Sequence, residues 1–358
     1  MHDLIVIGGG PAGTAAAITA ARDNARVLLL ERGRLPRHKV CGEFISSESL
    51  ALLRSLLSPD TALIDQAPCI AAASLFLDGR RLRAPVHPPA ASISRFELDL
   101  ALWRAAETAG ADTRMQSPVQ HISGHGPFQV KTSYGAFEAH SVINASGRWS
   151  NLSPRPPSGD RRQWLGIKAH FREPDPANSV DLYFFEGGYC GVQPVGPDVV
   201  NVSAMVRADA ATTLADVFAR HPNLQERRQS WLPATDPVTT SPLLFRQPEA
   251  LREGVLLAGD AAGFVDPFVG DGIALALRSG TAAAQNLLPF WRGEIALPAA
   301  ALGYQQAYRQ AFLPVFRNAA RLRRLLSLPA PLRAPFVRLL ARTGLPEFVV
   351  RSTRAAAK

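Results

Sequence analysis

Residues 3–7 (DLIVI) form a short, branched apolar run that ends on three glycines. A run of that length bounded by glycine predicts a strand buried on both faces, as in a parallel sheet. The alanine-rich stretch from Ala12 to Asp23 predicts a helix, and Arg26 to Leu30 a second strand, which closes a strand–helix–strand unit. Apolar positions recur at helical spacing over Ser47–Leu57 and Arg95–Ala109. Residues 73–84 flank the turn dipeptide Asp78-Gly79 and predict a hairpin. The stretch 113–145 alternates around Gly124, Gly126 and Gly135 and reads as short strands ending in SVINA. Residues 151–160 (NLSPRPPSGD) read as a loop, 163–207 and parts of 236–246 as strands, and 212–220 as a helix. GVLLAGD at 254–260 predicts one more strand, Gly272–Asn286 a small-residue helix, and 300–358 a helical tail broken by prolines.

Glycine-bounded strands at both ends, with β-rich material between, predict an α/β fold with a discontinuous Rossmann-like domain and an inserted β-sheet domain. The expected boundaries are 1–70, 92–160 and 247–298 for the first, 71–91 and 161–246 for the second, and 299–358 for a helical C-terminal segment. Apolar residues at 47% against 19% charged exclude a mainly disordered chain. No apolar run approaches the roughly 18–20 residues of a membrane span. Cys41, Cys69 and Cys190 are too scattered for a disulfide framework, and no spacing suggests metal ligands. The N-terminus lacks a signal pattern, so a cytoplasmic location is expected. The net charge of +9 is uneven: residues 301–358 hold eleven Lys or Arg and one acid, Glu347. The near-neutral remainder gives no electrostatic reason to expect nucleic acid. The basic tail reads as a helical subdomain with arginines in water, and weak contact with a membrane surface is its alternative.

The glycines carry the chemistry. Residues 8–13 (GGGPAG) fit G-x-G-x-x-G through Gly8, Gly10 and Gly13, between a strand and a helix. That arrangement brings a pyrophosphate against the backbone and the helix N-terminus, with Pro11 and Ala12 in the same turn. Glu31 ends the second strand, 18 residues past Gly13, where a carboxylate accepts ribose hydroxyls. NAD and FAD both satisfy this pattern. FAD is favoured because the fingerprint stands at the N-terminus and no second one follows a strand. Residues 254–273 (GVLLAGDAAGFVDPFVGDGI) place Asp260 after a strand and Gly272 and Ile273 at a helix start. Asp260 there suits polyol hydroxyls, and the helix start suits a reduced flavin's anionic edge.

The pattern GDAAGFVDPFVGDGIALALRSG resembles the flavoprotein superfamily that includes the p-hydroxybenzoate-hydroxylase-fold monooxygenases. KVCGE at 39–43 and ISRFELDL at 93–100 make the chain most similar to the geranylgeranyl-reductase-like, FixC-like branch. The resemblance covers most of residues 1–290 in motif order. It implies a Rossmann-like FAD-binding domain, places Arg95 near the FAD diphosphate, and brings the Cys41 loop near the isoalloxazine. It completes the expected FAD-binding set with Arg32, Gly42, Val119, Pro267 and Gly270. Two motifs depart from the pattern. Ser146 stands where monooxygenases of this fold often have aspartate. GGYCGVQPVG at 187–196 keeps Tyr189 and Pro194 but lacks the large aromatics of the reductases' substrate sheet, which points away from a polyprenyl substrate.

Cys41 and Tyr189 are the candidate catalytic residues. Cys41 contacts the flavin or is a small buried residue, Tyr189 lines the substrate pocket or simply packs, and Lys39 is a charge for Cys41. Glu43 reads as a cap, with an acid as the alternative, and His170 as a structural histidine, with a proton donor as the alternative. The expected function is an FAD-dependent oxidoreductase of reductase or dehydrogenase type, with NAD(P)H as transient donor and an apolar or aromatic small molecule as substrate. A flavin-dependent aromatic hydroxylase, a non-catalytic binder resembling GDP-dissociation inhibitors, and an NAD-only enzyme are the alternatives.

Overall fold

The structure, a computed structural model, describes residues 1–148, 151–152, 163–240, 243, 245, 247–326, 328, 332 and 335. Most of the expected 151–160 loop and nearly all of the tail past 326 lie outside the described residues. The chain begins β1 (His2–Ile7), α1 (Pro11–Arg22), β2 (Val27–Leu30), β3 (Phe44–Ile45), α2 (Ser47–Leu56), β4 (Cys69–Leu77), β5 (Arg80–Ser92) and α3 (Arg95–Thr108). Four strands follow: β6 (Asp112–Arg114), β7 (Val119–Ser123), β8 (Phe128–Thr132) and β9 (Gly135–Asn144). Next come β10 (Trp164–Arg172), β11 (Ser179–Phe185), β12 (Gly188–Gly196), β13 (Val199–Arg207), α4 (Leu214–Ala219), α5 (Pro222–Arg227), β14 (Leu232–Pro233) and β15 (Val238–Thr240). The last elements are β16 (Leu251–Arg252), β17 (Val255–Leu257), α6 (Gly272–Trp291) and α7 (Leu297–Leu326).

Among the described residues the strands make two sheets. The first runs β16-β17-β9-β1-β2-β6, and β8 and β7 extend it from the early part of β9. β1 lies between β2 and β9, parallel to both, which is why Leu4 to Ile7 are all buried. The second sheet runs β14-β10-β13-β12-β11-β4-β5-β3, with β15 on β10. Its pairs are antiparallel except β11 with β4.

Several elements differ from expectation. The predicted hairpin grows into strands spanning 69–92, because a register shift between Ile70 and Ala72 lets the ladder pass the prolines of β5. The strand at 254–260 stops at Leu257, and Asp260 stands on a one-turn 3-10 helix, Gly259–Ala261. α6 continues to Trp291, and α7 passes through Pro314 instead of breaking there. The helix-breaking cost of that proline, about 3 kcal/mol, is offset by burial of Tyr304, Tyr308, Phe312 and Val315. The Tyr304 hydroxyl also donates to Leu257 O at 2.7 Å, tying α7 to β17.

α1 meets its neighbours backbone to backbone. A Cβ on Gly13 would stand 1.8 Å from Gly8 O, and one on Gly280 of α6 would stand 1.9 Å from Ala12 O. Neither position has room for a methyl group. Gly280→Ala should therefore destabilise the protein by about 1–3 kcal/mol through overpacking, read as a lower urea midpoint. An unchanged midpoint would show that α1 and α6 do not approach this closely.

Candidate dinucleotide and substrate site

The turn from β1 into α1 is held from both sides. Gly8 has φ +111° and lies against Ala145 O, so only glycine fits. Gly10 precedes α1, and no side chain caps the helix there, which leaves the first N–H groups of α1 free for an anion. A Cβ on Gly10 would find nothing nearer than Arg95 Nη2 at 3.7 Å and Lys39 Nζ at 3.9 Å. Both cations are anchored on one buried carboxylate: Asp99 takes Arg95 at 2.7 and 2.9 Å and Lys39 at 2.7 Å. Burial alone would raise the pKa of Asp99, but Arg95 and Lys39 outweigh it and hold the carboxyl below the usual range. Two cations on one anion leave a surplus positive charge beside the helix start, which suits a diphosphate.

Glu31 ends β2 and is buried. Its Oε2 accepts Gly9 N–H at 2.8 Å, and its Oε1 accepts Gly33 N–H at 2.8 Å and Arg37 Nη2 at 2.9 Å. Burial works to raise its pKa, yet the two backbone donors and the nearby cations keep it ionised. Arg32 beside it is exposed, and Val119 is buried at the start of β7 in the first sheet's core.

The second glycine segment converges on the same turn. Gly259, φ +59°, packs on Ala12: a Cβ there would stand 2.8 Å from Ala12 Cβ. Asp260 pairs with Arg148 at 3.3 Å, and the Arg148 guanidinium lies 3.9 Å over the Phe264 ring. Gly272 opens α6, and a Cβ on it, like one on Gly42, would meet nothing within 4 Å. Gly10, Gly42 and Gly272 thus face space that larger residues would fill, and the chain fits a dinucleotide cofactor on that ground. Asp266, in the loop between, is buried, and Arg323 stands 3.5 Å from its carboxylate. Burial pushes its carboxyl up to about 7 against the pull of Arg323.

An apolar cavity of about 220 Å³ lies against the second sheet. Its wall includes Cys41 and Gly42, Pro267 and Gly270, Tyr189 of β12, and Leu322 of α7. Both cofactor segments therefore reach one cavity. Tyr189 is buried, and burial drives its hydroxyl well above the ordinary phenol value, so it stays protonated. Cys41 Sγ accepts Glu43 N–H at 3.3 Å and interacts with Arg95.

The structure brings most of the expected residues together. Gly8, Gly10, Pro11, Ala12, Gly13, Glu31 and Arg95 surround the α1 end, while Cys41, Gly42, Pro267 and Gly270 share the cavity wall. Ile273 is buried in the first turn of α6. Lys39 belongs to Asp99 rather than to Cys41. Glu43 is not the N-cap of α3, which is Ser94; it accepts Arg95 N–H at 2.7 Å from a distant part of the chain and also binds Lys168 and, at 2.8 Å, His170. Sequence reasoning missed Asp99, Arg148, Lys168 and Asn201. Only Asp99 carried a signal, its i,i+4 spacing from Arg95.

Comparison with known proteins supports an FAD-dependent oxidoreductase of reductase type. A sequence model of FAD dependent oxidoreductases matches residues 3–36. The chain is 28% identical over 318 residues to a digeranylgeranylglycerophospholipid reductase of Methanosphaera stadtmanae, across 78% of this chain and 75% of that one. It is 28% identical over 324 residues to the menaquinone reductase of Mycobacterium tuberculosis, across 80% and 76%. The fold is shared with a geranylgeranyl bacteriochlorophyll reductase-like protein from Thermoplasma acidophilum, TM-score 0.74 at 21% identity over 98% of this chain and 95% of that one. It is shared as well with the flavin-dependent brominase Bmp2, TM-score 0.80 at 19% identity over 98% and 93%. Among the described residues, no helix is long and apolar enough to cross a membrane.

Asp99 supports an acid-stability prediction. Its folded pKa lies below the ordinary 3.8, so its contribution is whole above about pH 4 and is lost as pH falls toward the folded value. Asp99→Asn should cost about 1–3 kcal/mol at neutral pH by leaving two half-buried cations without their carboxylate. The variant should also lose less stability than the parent between about pH 4 and pH 2, as read from urea midpoints at each pH. Parallel pH curves for the two proteins would place the acid sensitivity elsewhere.

Proposed function

We propose that this protein is a reductase that passes a hydride by way of FAD to an apolar small molecule held in the cavity against the second sheet, with NAD(P)H as the donor. The observation that carries this reading is the shared wall: Cys41 and Gly42 of the first segment and Pro267 and Gly270 of the second border the same apolar space. A flavin bound there supplies two-electron chemistry, taking a hydride from one partner and giving it to another. The protein's own part is binding, orientation and exclusion of water. The α1 N-terminus, Arg95 and Lys39 hold the diphosphate, Glu31 the ribose, and Asp260 the polyol chain. The open end of α6 at Gly272 stabilises negative charge on the reduced ring. The cavity's Val, Leu and Phe side chains select an apolar substrate and keep water from the site.

The relatives support this reading. One is named for a digeranylgeranylglycerophospholipid and the other for menaquinone. Both names indicate apolar substrates, which suits the wall of this cavity. They also return polyprenyl-bearing molecules to the set of substrates to be tried. Cys41 and Tyr189 face that substrate, and the protonated Tyr189 hydroxyl is the group placed to donate a hydrogen bond to it.

The test begins with purified protein loaded with FAD. Anaerobic addition of NADH, NADPH and dithionite should bleach the visible band with at least one nicotinamide donor, and menadione should then restore it faster than buffer alone. Bleaching by dithionite only would remove NAD(P)H as donor. Oxygen consumption coupled to ring hydroxylation would favour the hydroxylase alternative. Filling the cavity by Val180→Trp should slow reoxidation by menadione at least about tenfold while nicotinamide reduction stays within about twofold. Equal reoxidation rates would place the substrate elsewhere.

A further inference from the structure

The cavity-facing side of the second sheet changes character along its length. Tyr189 pairs with Met205 and Gly191 with Ser203 where the sheet lines the apolar space. One rung further on, His170, Asn201 and Gln193 stand side by side on β10, β13 and β12. All three are buried, as is Lys168, two residues before His170 on the same face. Polar groups are buried at a cost unless bonded, and here the bonds run to the 41–43 loop and to Ser92 at the end of β5. Asn201 Nδ2 donates to Cys41 O at 3.1 Å and Gly42 O at 2.9 Å. Gln193 Nε2 donates to Ser92 Oγ at 2.6 Å. His170 and Lys168 hold the Glu43 carboxylate, which in turn accepts Arg95 N–H. The whole rung closes on residues 41–43 and on the segment entering α3.

Stability alone does not call for this arrangement, since apolar side chains packed against the loop would stabilise it at least as well. Directed bonds do something apolar packing does not: they set where the Cys41 and Gly42 carbonyls point. Glu43 has φ +61°, so the loop sits in a backbone conformation that its surroundings impose. Asn201 Oδ1 is buried and has no partner, so the amide is placed by what its nitrogen holds.

We propose that the rung His170–Asn201–Gln193, with Lys168, positions the Cys41–Gly42 backbone, the wall common to the apolar cavity and the dinucleotide crevice, and thereby sets the surroundings of the flavin ring. These are positioning residues, and the inference rests on the flavin reading above. Asn201 bonds only the Cys41 and Gly42 carbonyls and none of the diphosphate or ribose residues, so changing it should act on the ring's environment more than on FAD affinity.

The test uses the full chain, FAD, and Asn201→Leu, which keeps the side-chain size and removes both N–H bonds. FAD is titrated by fluorescence. The visible absorption band and iodide quenching of the flavin are then recorded at saturation. The parent should bind FAD; if it does not, the flavin reading itself fails. With the parent loaded, Asn201→Leu should bind FAD within about threefold of it. The variant's absorption band should shift toward that of free FAD, and its quenching constant should rise at least about twofold. Asn201→Ala, which leaves room for a water to bond the two carbonyls, serves if the leucine variant does not fold, with the same shift expected. A band and quenching constant matching the parent's in the folded variant would overturn the proposal, whatever its affinity or melting temperature.

Discussion

Three glycines around the first turn of α1 set the geometry of the site. Gly13 lets the helix lie on the β1 turn, Gly280 lets α6 touch Ala12, and Gly259 brings the end of β17 to the same residue. Each contact is closer than any side chain permits. Together they bring segments more than two hundred residues apart in sequence onto one helix end. The bare N-terminus of α1, the anchored pair Arg95 and Lys39, and the open position at Gly272 gain meaning only because of that convergence. A dinucleotide is long, so its two ends need sites built by different parts of the chain. Tight backbone packing holds those parts in a fixed relation.

Charge is distributed with the same economy. Asp99 and Glu43 are both fully buried carboxylates, and each carries cations into a region where an unpaired ion would cost several kcal/mol. Asp99 works within the first sheet's side and holds Arg95 and Lys39 toward the crevice. Glu43 ties α3 to the second sheet, with the Arg95 amide on one side and Lys168 and His170 on the other. Arg95 is thus fixed at both ends, its guanidinium by Asp99 and its backbone by Glu43. That double hold leaves a cation with few ways to move, and a diphosphate meets it without first having to order it.

The parts of this arrangement that can be read from sequence are those governed by local rules. Gly8, Gly10 and Gly13 announce a phosphate turn because only glycine tolerates the required backbone, and Glu31 follows at the end of the next strand. Gly272 was legible as a helix start after a glycine-rich loop, and Arg95 was recoverable through motif likeness. The long-range side-chain bonds were not, because Lys168, Gln193 and Asn201 sit in stretches that read simply as strands. Their partners are 100 to 160 residues away in sequence, and nothing local distinguishes an inward polar residue that grips a loop from one that faces water. The extents of β5 and α7 were misread for a related reason. Proline lowers local propensity, but a register shift in one case and a row of buried aromatics in the other outweigh it.

α7 shows how far tertiary context can recast composition. Its last turns were read as part of a basic tail, whose natural surroundings are solvent or an anionic surface. In the fold those turns divide their side chains. Leu322, Leu325 and Leu326 complete the wall of the apolar cavity. Arg323 turns the other way, lying 3.8 Å over the Phe245 ring and 3.5 Å from Asp266. The pair is not a full ion pair at every pH, since burial holds Asp266 near neutrality in spite of the arginine. A helix that lines the apolar cavity is therefore joined to the loop carrying Pro267 and Gly270 through a carboxyl that burial pushes up to about 7. Ionisation of Asp266 strengthens that link but carries a desolvation cost, and protonation relaxes both. The strength of the link between α7 and the cofactor loop thus rests on a balance of two opposing terms, and the arginine that composition assigned to the surface is one of them.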